Sequence, residues 1–454
     1  MIKKEREIAL EILRECDEKH FSKTVYLKKV SEYSHLNNVQ KAFIKKIVHG
    51  TLERQITLDY LIRQASNIRL KKIQEDVLII LRLSVYQLIY MDKVPDYSVV
   101  NEAVNLVKKQ KQWKAVAFVN AVLNKIAKEK EAIRQELSRL EKVGDWEKAY
   151  SAPQAFIELL RKDYTEAQLK KILKSSLSEK PINVRLHIPS PEAAEEIKKW
   201  NEKYPAGGIF FQNVHSFQGN IEEQPAFQKG YLQVQDESSM LVGYLAAQDK
   251  PKLIYDLCAA PGGKSTHLAS LLPDARIIAS DISEIKTKKI EENIKRLQLK
   301  NIQTTVQDAA LYDHRKSEKA DTVLVDAPCS GLGVISAKPE IKYRVVDEAV
   351  LQLQKIQKNI LEQAANYVKT GGALFYTTCT LLHRENSDNV QDFLSKHPEF
   401  ELCNLQKEAI FQTQSAKKMA ENGELLWQDG MLQIMPYRLH GFFIAKLLKT
   451  KEKD

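Results

Sequence analysis

The stretch from Leu253 to Ser265, LIYDLCAAPGGKS, constrains the fold of this chain more than any other feature. Its first residues are typical of a short buried strand that ends at Asp256. Residues 260–263 then form a turn without bulky side chains, and a helical run begins at Lys264. A strand, a turn of small residues and a helix start together offer backbone N–H groups to the polar or anionic end of a ligand. The stretch therefore predicts the ligand-binding edge of an α/β domain.

Three kinds of ligand compete for this turn. A phosphate-binding P-loop needs a glycine five residues before the Gly-Lys-Ser triplet, and Cys258 holds that position. A dinucleotide site needs Gly-x-Gly-x-x-Gly after the strand, which residues 259–263 do not supply. A site for S-adenosylmethionine fits best, because a carboxylate ends the strand and small residues let the backbone approach the methionine part. An ordinary surface turn remains the alternative.

Strands and helices alternate from Leu253 onward, which is typical of a parallel sheet with helices on both faces. We expect strands at residues 253–257, 276–281, 302–307, 322–326 and 373–377, with helices at 283–297 and 347–368. A last strand at residues 441–447 is expected to be antiparallel and near the edge of the sheet. The C-terminal part is therefore predicted to be a Rossmann-like α/β domain.

Acidic residues end or closely follow four consecutive strands of this sheet: Asp256, Asp281, Asp308 and Asp326. Ligands bind at the carboxyl ends of the strands in an open parallel sheet, so these carboxylates should meet at one crevice. Asp281 is placed to accept hydrogen bonds from ribose hydroxyls, and Asp308 from an adenine amino group. An acidic surrounding also favours a cationic sulfonium. The alternative for each residue is a strand-end cap.

Two cysteines follow the fourth and fifth predicted strands, Cys329 in DAPCSG and Cys379 in YTTCT. If those strands pair, their ends lie about 4.8 Å apart, and both thiols reach the rim of the cofactor site. A lone cysteine is usually a small buried hydrophobe, whereas two at these positions favour nucleophilic chemistry. Such chemistry suits C5 of cytosine, a poor nucleophile that becomes enamine-like once a thiolate adds at C6. Cys16 and Cys258 are interpreted as structural.

The first third of the chain is helical and basic. Residues 1–126 repeat apolar side chains at helical spacing, and Pro95 separates two of the helices. Residues 1–150 contain 29 Lys and Arg against 20 Asp and Glu, which accounts for nearly all of the net charge of +10. This distribution favours a polyanionic partner such as nucleic acid, and lysine-rich solvated helix faces are the alternative.

The middle of the chain predicts a small α+β module. Residues 127–150 are interpreted as a solvated helical linker, and a helix is expected at residues 153–173. A strand at 182–186 and a β-segment at 207–217 follow. The Gln-Asp-x-x-Ser pattern at residues 235–239 predicts a helix N-cap that also reaches the ligand. The expected domains are residues 1–140, 150–232 and 233–450.

Several motifs carry a resemblance to known families. The segments LRL at 81–83, YQL at 86–88, NEAV at 101–104 and FVNAVL at 118–123 resemble the second half of a NusB-type helical RNA-binding domain. DLCAAPGGKS, DAPCSGLG, YTTCT followed by Glu385-Asn386, and the late GFF segment resemble the RNA cytosine-5 methyltransferases. Together they resemble the bacterial 16S ribosomal RNA enzymes of the RsmB type.

The resemblance implies a role for each matching residue. Cys379 would be the nucleophile, Cys329 would assist release of the methylated product, Asp326 would contact the cytosine, and Lys264 would orient Asp326. The residues implied to bind S-adenosylmethionine are Cys258, Ala259, Ala260, Pro261, Gly262, Gly263, Lys264, Asp281, Asp308 and Asp326. The implied partner is small-subunit ribosomal RNA. A transfer RNA substrate, or a non-catalytic RNA-binding assembly factor on the same fold, are the alternatives.

The remaining composition excludes other classes of protein. No apolar run reaches the length of a membrane span, and the N-terminus lacks the apolar core of a secretory signal. The five cysteines are scattered, which argues against a disulfide framework and against a zinc site. We therefore expect a cytoplasmic protein without a bound metal. The sequence does not predict the oligomeric state, for which a monomer is the default expectation.

Overall fold

A computed structural model describes residues 4–16 and 22–451 of the chain. The structure divides into two units, one of residues Met1–Ser178 and Ile335–Val345, the other of residues Glu179–Val334 and Val346–Asp454. Within the described ranges, none of the helices combines the length and apolar character that crossing a bilayer demands. The expected three domain boundaries stay a prediction.

Helices and strands are numbered separately in chain order. The helices are α1 Glu5–Glu15, α2 Ser22–Ser31, α3 Asn38–Glu53, α4 Gln55–Ala65, α5 Glu75–Tyr90, α6 Asp96–Lys109, α7 Val116–Lys128, α8 Lys130–Lys142, α9 Trp146–Tyr150, α10 Gln154–Arg161, α11 Glu166–Ser175, α12 Pro191–Lys203, α13 Pro225–Gln228, α14 Glu237–Gln248, α15 Gly263–Leu271, α16 Glu284–Arg296, α17 Ile341–Arg344, α18 Asp347–Ala365, α19 Ser387–Lys396 and α20 Gln414–Glu421. The strands are β1 Ile182–Leu186, β2 Val214–Phe217, β3 Leu232–Val234, β4 Leu253–Asp256, β5 Arg276–Asp281, β6 Ile302–Val306, β7 Ala320–Asp326, β8 Val368–Thr378, β9 Phe400–Leu402, β10 Leu425–Gln428, β11 Met431–Ile434 and β12 Phe442–Lys449.

The first unit is helical in its described residues, as its apolar periodicity predicts. Ile44, Ile80, Val107 and Leu123 are fully buried in one continuous core. Pro95 is the N-cap of α6, so it separates α5 from α6 as expected. A helix that presents one apolar stripe gains most of its stability from packing that stripe.

Two expectations for this unit are wrong in detail. Residues 130–150 are helical but are not only a solvated linker, because Leu140, Trp146 and Tyr150 are buried. The helix expected at residues 153–173 is two helices, α10 and α11. Thr165 begins the second of these with a capping box, in which its hydroxyl accepts from the N–H of Gln168.

Residues 335–345 belong to the helical unit, although the chain on either side of them belongs to the other unit. The Lys342 side chain is almost fully buried and its Nζ donates to the carbonyl oxygen of Glu53 at 2.6 Å. The Tyr343 hydroxyl lies 3.0 Å from Ser151 Oγ. Burial lowers the pKa of Lys342 to about 7, so this segment brings an unusual lysine into the helical core.

Replacing Lys342 should change how stability depends on pH. Between pH 7 and the ordinary lysine pKa, the unfolded chain holds a proton that folded Lys342 lacks, so stability rises with pH. Above pH 7, the free energy of unfolding of the wild type should therefore rise relative to that of Lys342→Met. The difference should grow by up to about 1.4 kcal/mol for each pH unit. Chemical denaturation of both proteins at several pH values measures this, and parallel pH profiles would contradict it.

The second unit contains two sheets in its described residues. β2, β1 and β3 form a three-stranded antiparallel sheet, and the larger sheet has the order β10-β11-β12-β8-β7-β4-β5-β6, with β9 paired to β12. Strands β4 to β8 are mutually parallel, while β10, β11 and β12 pair antiparallel. The Rossmann-like α/β prediction is confirmed.

The middle one of the five parallel strands, β4, lies between β5 and β7, so the strand order reverses beside it. Open α/β sheets bind ligands at this switch point, outside the carboxyl ends of the strands. β4 ends at Asp256 and β7 at Asp326. The fold therefore places both carboxylates at the expected binding edge.

The last strand is antiparallel as expected, but its predicted position near the sheet edge is wrong. β12 pairs with β8 on one side and with β11 on the other. The β10–β11 hairpin, which turns at Asp429 and Gly430 with positive φ, covers the edge that sequence reasoning left open.

Candidate active site

The turn between β4 and α15 builds a cradle with little side-chain bulk. Two backbone hydrogen bonds hold the turn in place. Within the turn, Gly262 N–H donates to Ala259 O at 2.7 Å, and Ala259 N–H donates to Ser280 O on the next strand, β5, at 2.8 Å. Gly262 has a φ of +96°, where a Cβ would lie 3.0 Å from the Ile290 side chain. Only glycine meets both requirements without strain.

Asp256 lies fully buried beneath this turn. Its Oδ2 accepts from Ser265 Oγ at 2.5 Å, whereas its Oδ1 has no hydrogen-bond partner within the described part of the chain. Burial raises the pKa of Asp256 to about 7. A buried carboxylate oxygen without a donor is costly unless a ligand supplies one, so this oxygen favours a ligand with a cationic or N–H group.

A cavity of about 190 Å³ opens beside the cradle. Predicted cofactor residues border it, namely Cys258, Ala259, Ala260, Pro261, Gly263, Lys264 and Asp326, and so does Asp256. Gln235, Asp236 and Ser239 border it as well, and Asp236 caps α14 by accepting from Ser238 N–H. The pattern at residues 235–239 thus provides both the N-cap and part of the cavity wall.

The Asp326 carboxylate is held by two donors. Lys264 Nζ lies 2.6 Å from Asp326 Oδ2, and Thr377 Oγ1 donates to Oδ1 at 2.9 Å. The ammonium of Lys264 also lies over the Phe442 ring, 4.9 Å from its centroid. Because both oxygens are fixed, the carboxylate has one orientation at the carboxyl end of β7.

Cys329 and Cys379 meet on the same rim. β7 and β8 pair in parallel with Asp326 opposite Thr377, and the two sulfur atoms lie 3.3 Å apart. The hydrogen bond to the Cys379 sulfur, and then burial, raise the pKa of Cys329 well above its ordinary value. Either sulfur atom can donate in this contact. When Cys329 is the donor, its S–H stabilises a thiolate at Cys379.

Among the other predicted residues, Asp281 and Asp308 do not border this cavity, whereas Cys258 does. Asp281 Oδ2 accepts from Ala260 N–H at 3.3 Å, beside the cradle. Asp308 Oδ1 accepts from Ala310 N–H at 2.9 Å, as a turn cap would, and Asp308 does not border the cavity. Burial raises the pKa of Cys258, which keeps this thiol protonated. The ligand and catalytic roles of all the predicted site residues stay predictions.

One functional residue escaped the sequence analysis. Glu385 was noted only as part of a motif, yet it is fully buried and contacts the residues that follow both cysteines, Ser330 and Thr380. The available signal was a carboxylate six residues after Cys379, between Arg384 and Asn386.

Comparison with known proteins decides the family. The family model described as 16S rRNA methyltransferase RsmB/F matches residues 242–448, and the NusB family model matches residues 3–128. The probable ribosomal RNA small subunit methyltransferase B of Bacillus subtilis (strain 168) is 32% identical over 98% of each chain. The chain belongs to the RsmB/F family of 16S rRNA methyltransferases. The probable enzyme of the same name from Synechocystis sp. is 29% identical, with 98% of this chain and 99% of that protein covered.

Solved structures share the fold of this chain. The crystal structure of PH0851 has a TM-score of 0.75 and 25% identity, and the match covers 97% of both chains. The structure of NSun6 from Pyrococcus horikoshii with SFG has a TM-score of 0.55 and 23% identity, covering 66% of this chain and 99% of that one. At that identity it shows the fold alone. The predicted NusB-like and Rossmann-like folds are confirmed.

S-adenosylmethionine is the methyl donor of RsmB/F enzymes, which confirms the predicted cofactor. The residues present fit it, because the molecule carries a cationic sulfonium and an ammonium group. The buried Oδ1 of Asp256 lacks a donor among the described residues, and the small-residue turn leaves its backbone open to the cavity. An acidic, narrow cavity of this kind favours such a cation.

Asp256 should make cofactor binding depend on pH. Ionised Asp256 attracts the cation, so the affinity for S-adenosylmethionine should rise by up to about tenfold per pH unit as the pH approaches 7 from below. The asparagine of Asp256→Asn cannot ionise, and the cofactor's own ionisable groups titrate in the same way with both proteins. The difference in pH dependence of the affinity between wild type and variant therefore reports on Asp256. Isothermal titration calorimetry between about pH 6 and pH 8 measures it, and equal slopes would rule the role out.

Proposed function

We propose that this enzyme methylates C5 of one cytosine in small-subunit ribosomal RNA, through a bond between the Cys379 sulfur and C6 of the base. The observation that carries the proposal is the pair of thiols, 3.3 Å apart at the ends of β7 and β8, beside the cradle. Methylation of an exocyclic nitrogen or of a ribose oxygen needs no such pair. The names of the curated relatives support ribosomal RNA over transfer RNA.

The first step belongs to Cys379 and Asp326. Cys379, held as a thiolate by the S–H of Cys329, adds to C6 and breaks the C5–C6 double bond. Asp326, held by Lys264 and Thr377, relays a proton from the Lys264 ammonium to N3 as charge develops on the ring. C5 thereby becomes enamine-like and nucleophilic. Bound S-adenosylmethionine supplies the methyl group that C5 accepts.

The second step releases the product. A solvent base takes the C5 proton, and the C5–C6 double bond re-forms as the C6–S bond breaks with its electron pair returning to Cys379. N3 returns its proton to Asp326. The S–H of Cys329 donates to the departing thiolate, which lowers the energy of the free thiolate relative to the thioether. One donor at 3.3 Å thus serves both the formation and the cleavage of the covalent bond.

A paired target base would have to leave its helix before either thiol reaches C6, because the ring edge is hidden in a stacked duplex.

Bisulfite sequencing of ribosomal RNA tests the proposal in cells that contain the gene, lack it, or carry it with Cys379→Ala. One 16S cytosine should lose its methyl group without the gene and regain it only with the wild type. An unchanged 16S pattern, or a loss confined to transfer RNA, would refute the proposal.

A further inference from the structure

We propose that Glu385 is a positioning residue that ties together the loops after β7 and β8, and thereby sets the separation between Cys329 and Cys379. The proposal rests on the proposed covalent mechanism and extends it to a residue outside the thiol pair. It follows from the hydrogen bonds of one fully buried carboxylate.

Both oxygens of Glu385 accept from the residues that directly follow the cysteines. Oε1 accepts from the backbone N–H of Ser330 at 2.9 Å, and Oε2 accepts from Ser330 Oγ at 2.5 Å and from Thr380 Oγ1 at 3.1 Å. The Ser330 and Thr380 hydroxyls are themselves 2.6 Å apart. A single carboxylate therefore gathers donors from both loops, one residue away from each sulfur atom.

Glu385 and the donors that it gathers from the two loops are called the clamp below. The clamp is attached to β8 and α18 of the second unit. The Tyr376 hydroxyl, on β8, donates to the backbone oxygen of Glu385 at 2.7 Å. Gln357, on α18, donates to Glu385 Oε1 and to the carbonyl oxygen of Pro328, each at 2.9 Å. Glu385 thus has little freedom to move, and the Cys329 loop is held from both sides.

The charge of Glu385 has no cationic partner. Among the described residues no lysine, arginine or histidine pairs with it, so the carboxylate depends on its neutral donors. A buried charge satisfied only in this way is a poor device for stability, which favours a functional reason for its presence. The same charge contributes to the raised pKa of Cys329, and so helps to keep that thiol a donor.

Glu385→Gln tests the clamp with a side chain of the same size. The amide offers one acceptor oxygen in place of two, so the two loops lose their shared anchor while the volume is kept. A shift of about 1 Å between reacting groups can cost about a hundredfold in rate, and we expect kcat to fall by that order. The KM for a 16S ribosomal RNA transcript and the S-adenosylmethionine affinity should stay unchanged.

Two further variants make the result decisive. Glu385→Ala should lose more kcat than Glu385→Gln, so the conservative variant partly rescues activity. Glu399→Gln is the matched control, because Glu399 is also buried in this unit but bonds to His397, 2.9 Å away. The Glu399→Gln variant should keep full activity.

If Cys379→Ala is inactive while Glu385→Gln keeps a normal kcat, the proposed role of Glu385 is wrong and the covalent mechanism stands. If Cys379→Ala is active, the mechanism itself fails. A parallel loss of melting temperature and cofactor affinity in Glu385→Gln would show a merely structural role.

Discussion

Cys379→Ala should abolish methyl transfer and leave cofactor binding intact. The substitution removes the only atom proposed to bond to C6, and without that bond C5 stays unreactive. Loss of a nucleophile of this kind costs at least about a thousandfold in rate. Cys379 does not border the cavity beside the cradle, so the affinity for S-adenosylmethionine should match that of the wild type.

Transfer of a labelled methyl group to a 16S ribosomal RNA transcript, with calorimetric titration of the cofactor, measures both parts of this result. Cys403→Ala is the matched control, since Cys403 is another half-buried thiol of the same unit, just beyond β9. It should retain full activity. Turnover by Cys379→Ala at a rate near that of the wild type would eliminate the assignment of the nucleophile.

Cys329→Ala should trap the enzyme on its RNA. The substitution removes the S–H donor 3.3 Å from the Cys379 sulfur, so the departing thiolate becomes a poorer leaving group relative to the thioether. One lost hydrogen bond to a charged group corresponds to about 1.5–3 kcal/mol, which shifts the balance toward the adduct by about tenfold or more. A slowly migrating, RNA-dependent band on a denaturing gel reports the adduct.

The double variant with Cys329→Ala and Cys379→Ala supplies the control, because it lacks the sulfur that forms the bond. It should give no such band. If the single variant also gives none while its methyl transfer is slow, Cys329 acts before the covalent bond forms rather than in its release.

Much of this site could be predicted because its geometry is local. A strand, a turn of small residues and a helix start follow one another in a single stretch, so the cradle at residues 256–265 needed no long-range contact. The pairing of β7 with β8 follows from the order of parallel strands, and it brings the loops that hold Cys329 and Cys379 side by side.

The parts that sequence reasoning missed depend on distant partners. Residues 335–345 contain only a four-residue helix, and their place in the helical unit depends on contacts such as that of Lys342 with Glu53, far away along the chain. The interior position of β12 depends on a hairpin that no apolar pattern links to it. Glu385 is an ordinary charged residue in the sequence, and only its burial and its four donors single it out.

Fluorine at C5 offers the most direct test of the covalent mechanism, because it blocks the loss of the C5 proton on which release depends. A 16S ribosomal RNA transcript made with 5-fluorocytidine should therefore form a stable adduct with the wild-type enzyme in the presence of S-adenosylmethionine. Peptide mass spectrometry should find the modified pyrimidine on the peptide that contains Cys379. Methylation of unmodified RNA without any adduct on the fluorinated RNA, or an adduct on another residue, would contradict the account.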